Sequence, residues 1–153
     1  MIKTTELRYG NYFEHMGQVC ECVSITDDTV MYKNMTGIHG GYSEIFDSEI
    51  EGIKLTDELL IQFQFDKIEE PQTRSITYKK AYMFTWDKKP FVSFRIIDFS
   101  FAATGERFRG YLVPLVGEDE EFFMSARNVH IEYVHQLQNL YFAITGKELK
   151  FLY

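Results

Sequence analysis

Val19, Glu21, Val23 and Ile25 alternate with Cys20, Cys22 and Ser24. A period of two is the signature of a strand whose two faces meet different surroundings. Strand-length pieces of this kind, cut by turn residues, run through most of the chain and constrain its fold more than any other feature. Leu7–Phe13 reads as a strand, and His15-Met16-Gly17-Gln18 as a turn. Val19–Ile25 follows, then Thr26-Asp27-Asp28 with Asx turn chemistry, then a returning strand at Thr29–Lys33. Three short strands with tight turns predict an antiparallel meander or a small SH3-like barrel. Gly37-Ile38-His39-Gly40-Gly41 reads as a loop. Strand patterns return at Lys79–Trp86, Phe91–Phe101 and Phe108–Val116, and Pro114 marks the last as an edge strand or a strand end.

Helical spacing is confined to two places. Thr56 can cap a helix that starts at Asp57 and Glu58, whose charges suit a helix N-terminus, with Leu59, Leu60 and Phe63 inward. Over Tyr133–Thr145, Val134, Leu137, Leu140, Tyr141 and Ile144 fall on one stripe, and Gly146 stands where a left-handed terminal residue belongs. Leu149–Tyr153 reads as a final short strand. The fold class expected is therefore α+β: a small N-terminal antiparallel sheet or barrel, a linking helix, a second antiparallel sheet, and a C-terminal helix packed on sheet. The 153 residues are 45% hydrophobic and 25% charged, which excludes a mainly disordered chain and suits one domain. Glu69-Glu70-Pro71-Gln72 reads as a loop, and a subdomain boundary is expected near 66–74.

Charge is unevenly spread. The net charge is −7, and the acids concentrate in residues 1–70. General nucleic-acid binding needs clustered Lys and Arg, so the acidity points instead to a basic protein partner. Met1–Glu6 has no apolar signal region, and no apolar run is long enough to span a membrane. Cys20 and Cys22 are the two cysteines. On one strand face they are too close to form an unstrained bridge, and a reducing, cytoplasmic setting is expected.

No nucleotide-binding loop, nucleophile elbow, zinc-protease helix or dinucleotide fingerprint is present. Cys20 or Cys22 could act as a nucleophile beside one of the four histidines, yet two cysteines on a strand face read first as small packed hydrophobes. Cys-x-Cys is also tight for a zinc knuckle, so neither a metal nor a cofactor is expected, and the chain is read as a non-enzyme. Three surfaces are candidates for a partner. Asp27 and Asp28 lie on a turn. Glu118, Asp119, Glu120 and Glu121 form an acidic loop that could mimic phosphates. On the C-terminal helix, His135, Gln138 and Asn139 surround Phe142 opposite the apolar stripe, as polar groups around an aromatic anchor. The competing arrangement is a helix covered on both sides. Arg74, Lys79, Lys80, Lys88 and Lys89 are interleaved with Tyr82, Phe84 and Trp86, which is the mixture that binds single-stranded nucleic acid. The competing reading is a solvated hairpin.

Three segments carry a family resemblance. Glu6-Leu7-Arg8-Tyr9-Gly10-Asn11-Tyr12 is similar to an "ELRxGN" opening, and Ile53–Leu60 to an "IPLTEELL" segment. Tyr133–Leu149 resembles a "YVHQLQNLYFALTGEEL" ending. Together they resemble small proteins of Bacteroidota bacteria, their phages and mobile elements. The resemblance implies no activity, but it implies a setting in which small acidic proteins bind host or phage macromolecules. The expected function is thus a protein-binding module, and an inhibitor of a host nucleic-acid-binding defence effector, anti-CRISPR-like, is the specific form expected. Such effectors present positively charged channels. A nucleic-acid-associated accessory protein using residues 74–89 is the alternative.

Overall fold

In the computed structural model, residues 1–35, 41–70, 75–83, 90–98, 108–114 and 129–151 are described. They form an α+β structure with two antiparallel sheets. The chain divides into two compact units, one built from Met1–Leu55 and Tyr133–Leu149, the other from Thr56–Glu132 and Lys150–Tyr153. Of the stretch 66–74, where a subdomain boundary is expected, Asp66–Glu70 forms a strand and residues 71–74 lie outside the described residues.

In the first unit, β1 (Tyr12–His15), β2 (Gln18–Ile25), β3 (Thr29–Asn34) and β4 (Tyr42–Phe46) form a meander in sequence order. Met16 and Gly17, at φ 51° and 74°, make the two-residue turn between β1 and β2. Positive φ at both positions matches the strand twist. The sheet is open: β1 and β4 are its edges, and the barrel alternative is not what forms. Cys20, Cys22, Val30 and Ile45 point to the inner face and pack with Ile2, Leu7, Phe13 and Ile50. Two departures from the expected pattern have local causes. Leu7–Asn11 is not strand, because Asn11 Oδ1 accepts the Arg8 N–H at 2.9 Å and closes a turn through Gly10, whose φ is 82°. β4 was not expected. Of its five residues only Ile45 faces the core, so its alternation has a single apolar inward point.

The helix α2 (Val134–Thr145) belongs to this unit and begins one residue after the expected start, with Tyr133 as its N-cap. Gly146, at φ 66°, ends it by donating its N–H to the Phe142 carbonyl at 2.8 Å. Val134, Leu137 and Tyr141 are buried, and Leu140 is only half-buried. The Val134 N–H donates to the Ile53 carbonyl at 2.9 Å, and the Tyr133 ring lies flat against Gly52, where a Cβ would collide with it. Residues 149–151 do not form the expected strand, since the Leu149 carbonyl is taken by a side chain of α2.

The second unit opens with α1 (Asp57–Gln62). Thr56 Oγ1 accepts the Leu59 N–H at 3.3 Å, the cap expected from the sequence. Gln64, at φ 63°, ends the helix with N–H bonds from Gln64 to Ile61 and from Phe65 to Leu60, a Schellman closure. The strands β5 (Asp66–Glu70), β6 (Ser75–Met83), β7 (Pro90–Asp98), β8 (Phe108–Pro114) and β9 (Val129–Ile131) pair in order. Among the described residues, Leu60, Phe63, Phe65, Tyr78, Ile96 and Ile131 are its buried apolar side chains, and Phe63 stacks on Phe151 at 4.4 Å between ring centroids.

The burial of α2 makes a stability prediction. Leu137→Ala should cost about 2–5 kcal/mol in denaturant unfolding, and Leu140→Ala clearly less, because only Leu137 is fully enclosed. Equal losses would mean that the helix faces differently.

Candidate functional site

The expected recognition face of α2 is mostly interior. His135 and Gln138 are buried, at 1% and 0% exposure. Gln138 has all its main bonding capacity used: Oε1 accepts the Tyr12 N–H at 2.8 Å, while Nε2 donates to the Gly10 and Leu149 carbonyls at 3.0 and 2.9 Å. It works as a polar joint between α2, the β1 edge and the C-terminal segment. Asn139 is half-buried and donates from Nδ2 to the Glu6 carbonyl at 2.8 Å. Phe142 keeps 39% exposure, but the Arg8 guanidinium lies 4.0 Å over its ring, a cation–π contact. Arg8 also makes a two-pronged pair with Glu148 at 2.8 and 2.7 Å. The patch expected around Phe142 is therefore corrected to a packed seam with one half-exposed aromatic. The competing arrangement, a helix covered on two sides, is the one that forms.

His135 has no hydrogen-bond partner at either ring nitrogen among the described residues. Tyr133 stacks on it at 5.8 Å, and a Glu6 carboxylate oxygen lies 3.9 Å from Nε2. Burial lowers its pKa from the ordinary 6.5, with Glu6 opposing. The neutral ring is thus the form that the fold holds.

The cysteines are buried too. Loss of solvation pushes the thiols of Cys20 and Cys22 up to about 11, away from the depressed value a nucleophile requires. Among the described residues, no three His, Cys, Asp or Glu side chains gather as metal ligands do.

Of the basic stretch, Arg74, Lys88 and Lys89 lie outside the described residues, as does the side chain of Lys79, whose backbone is in β6. Lys80 is half-buried, donates from Nζ to the Phe63 carbonyl, and sits 5.6 Å over the Phe65 ring. Desolvation lowers its pKa. It ties β6 to the end of α1 rather than facing solvent. The acidic loop Glu118, Asp119, Glu120 and Glu121 also lies outside the described residues.

Asp27 and Asp28 remain as exposed charges, on a turn held by its backbone. Thr4 Oγ1 donates to the Asp27 carbonyl at 3.0 Å, and the Asp47 N–H donates to the Asp28 carbonyl at 3.1 Å. That second bond brings Asp47 beside the turn. Glu44 joins the same end of the sheet, where its Oε1 accepts Thr29 Oγ1 at 2.6 Å. The structure therefore assembles an acidic rim from Asp27, Asp28, Glu44 and Asp47. Glu44 and Asp47 become partners of the turn only through the β3–β4 pairing, for which Tyr42-Ser43-Glu44-Ile45-Phe46 offers a single inward apolar residue, Ile45, as signal. Comparison with protein-family models, curated proteins and solved structures returns no match to this chain.

Two outcomes follow from the buried polar groups. Stability should fall as the pH drops below about 6.5, because the unfolded chain takes up a proton on His135 there while the folded one resists it. His135→Leu should flatten the melting temperature between pH 7 and 5.5, and an unchanged slope would place the titration elsewhere. Gln138→Leu, of similar size, should cost about 3 kcal/mol or more, since it strands one buried donor and two acceptors. A loss under about 1 kcal/mol in urea unfolding would show that water or neighbours take over these bonds.

Proposed function

We propose that this chain is a non-enzymatic protein-binding module whose partner is basic. The acidic rim at the end of the first sheet carries the reading: Asp27, Asp28, Glu44 and Asp47 are drawn together by strand pairing, and none of them has a basic partner within ion-pair distance among the described residues. Charges left unpaired at a rigid sheet end raise the encounter rate with a basic surface and reject acidic ones. The overall charge of −7 acts in the same sense.

The finer reading is an inhibitor of a host nucleic-acid-binding defence effector, carried by a phage or mobile element and acting in the host cytoplasm. Its supports are the resemblance of the Glu6–Tyr12, Ile53–Leu60 and Tyr133–Leu149 segments to proteins of Bacteroidota phages and mobile elements, and the fit between an acidic surface and a channel built for phosphates. No helix among the described residues is long and apolar enough to cross a membrane. Direct nucleic-acid binding through residues 74–89 is less favoured, because Lys80 is engaged inside its own unit.

The test is capture from host lysate at low and high salt, followed by mass spectrometry. A nuclease or other nucleic-acid-binding protein, retained at low salt and released at high salt without nucleic acid, is the expected result. Nucleic acid alone would sink the proposal. With the partner in hand, the double change Asp27→Lys and Asp28→Lys should slow association and flatten its salt dependence, leaving dissociation nearly unchanged.

A further inference from the structure

The two edges of the first sheet are finished differently. On β1 the Tyr12 N–H and both backbone groups of Glu14 are covered. Tyr12 donates to Gln138, and Glu14 exchanges both backbone bonds with Glu51 at 2.9 Å each. On β4 the pairing with β3 runs Thr29–Phe46, Val30–Ile45, Met31–Glu44, Tyr32–Ser43 and Lys33–Tyr42, continued by the Asp47 to Asp28 bond. Hydrogen-bonded pairs alternate in an antiparallel ladder. Ile45 and Ser43 therefore bond inward to β3, and the N–H and C=O groups of Tyr42, Glu44 and Phe46 point away from the sheet. Glu49 Oε2 accepts the Phe46 N–H at 3.4 Å and closes that end. Among the described residues nothing covers Tyr42 or Glu44.

Edges are usually blunted by Lys, Pro or a bulge. β4 has no Lys and no Pro, and its register runs without a shift. Tyr42 and Phe46 are also 65% and 60% exposed, on the same face as Glu44. An open edge with two accessible aromatics offers both main-chain bonds and side-chain contact to an added strand.

Charge selects the occupant. Residues 41–52 hold Glu44, Asp47, Glu49 and Glu51 and no base, and Asp28 adjoins them. A second copy pairing antiparallel about Glu44 would set Glu44 against its own equivalent, and like charges directly opposite destabilise a sheet. A strand with Lys or Arg at alternate positions meets the reverse situation. We infer that the free edge of β4 docks an extended basic segment of a partner protein, which joins the first sheet as an added strand. This inference rests on the reading of the chain as a protein-binding module and names the surface that it uses.

The probe is a blocked nine-residue peptide alternating Lys and Val, titrated into the full chain by fluorescence anisotropy, with amide exchange followed by NMR. The peptide should bind, slow exchange at the Tyr42 and Glu44 amides about tenfold or more, and bind about tenfold more weakly to Glu44→Pro. That change removes an N–H that makes no bond to β3. Should Glu44→Pro melt early, the same peptide N-methylated at alternate amides against the unmodified chain should show the same loss. Absence of binding overturns the inference. So does binding without protection at Tyr42 and Glu44, or with full tolerance of N-methylation, which would reveal charge attraction alone. Concentration-dependent dimers that protect those amides without peptide would also overturn it, in favour of a second copy. In the lysate capture, a partner held equally by the unmodified chain and Glu44→Pro would defeat the β4 site while leaving the binding-module reading intact. Capture of no salt-sensitive protein by the unmodified chain would defeat that reading itself.

Discussion

The side-chain amide of Gln138 is the interaction on which the first unit most depends. A buried amide costs free energy unless its groups are paired, and here the carbonyl oxygen and the amide nitrogen have partners in two separate stretches of chain, Gly10–Tyr12 and Leu149. Pairing by direction fixes position more narrowly than apolar contact does. The Tyr12 N–H sets the height of α2 along β1, and the Gly10 and Leu149 carbonyls set its rotation. The Arg8–Glu148 pair and the Phe142 ring lie on the same seam. Gly10 is required there both by its φ of 82° and by the approach of Glu148 Oε2 to 3.3 Å from where a Cβ would stand.

Much of this architecture was legible in the sequence. Short-range chemistry was the most readable part: the Thr56 cap, the Met16-Gly17 turn, and α2 with Gly146 at its end each depend on neighbours within a few residues. Misreadings came where a polar residue does interior or strand work. Gln138 and His135 fall on the polar side of a helical wheel, and periodicity assigns such positions to solvent. Only the tertiary fold shows a second covered side. Asp66–Glu70 has four charged residues among five, and its Glu69-Glu70 end reads as loop, yet it pairs with β6 along its whole length. Its side chains from Asp66 to Glu69 are exposed, so hydrophobic alternation had nothing to report.

The candidate site divides in the same way. Asp27 and Asp28 were recognisable because a turn rich in Asp is a local signal. Their neighbours Glu44 and Asp47 were not, since nearness across a sheet depends on register, and register on which single residue, here Ile45, faces the core. The helix patch failed for the opposite reason: its residues are close in sequence and on one wheel face, but burial removed His135 and Gln138 from the surface.

The order in which the first unit is made matters as well. Its sheet belongs to the opening third of the chain, but the helix that seals β1 comes 126 residues after Tyr12. During synthesis the second unit must emerge before Gln138 does. Until then the β1 edge lacks the Gln138 cover on Tyr12, and the Gly10 carbonyl lacks its donor. Long-range closure of this sort is slow, and unpaired strand edges are where nascent chains associate wrongly. A ribosome-bound nascent chain stopped before residue 133 would therefore carry a sheet with β4 open and β1 lacking its cover at Tyr12, held on that side only by the Glu14–Glu51 exchange. Completion of the last helix leaves β4 as the edge of the first sheet that nothing among the described residues covers.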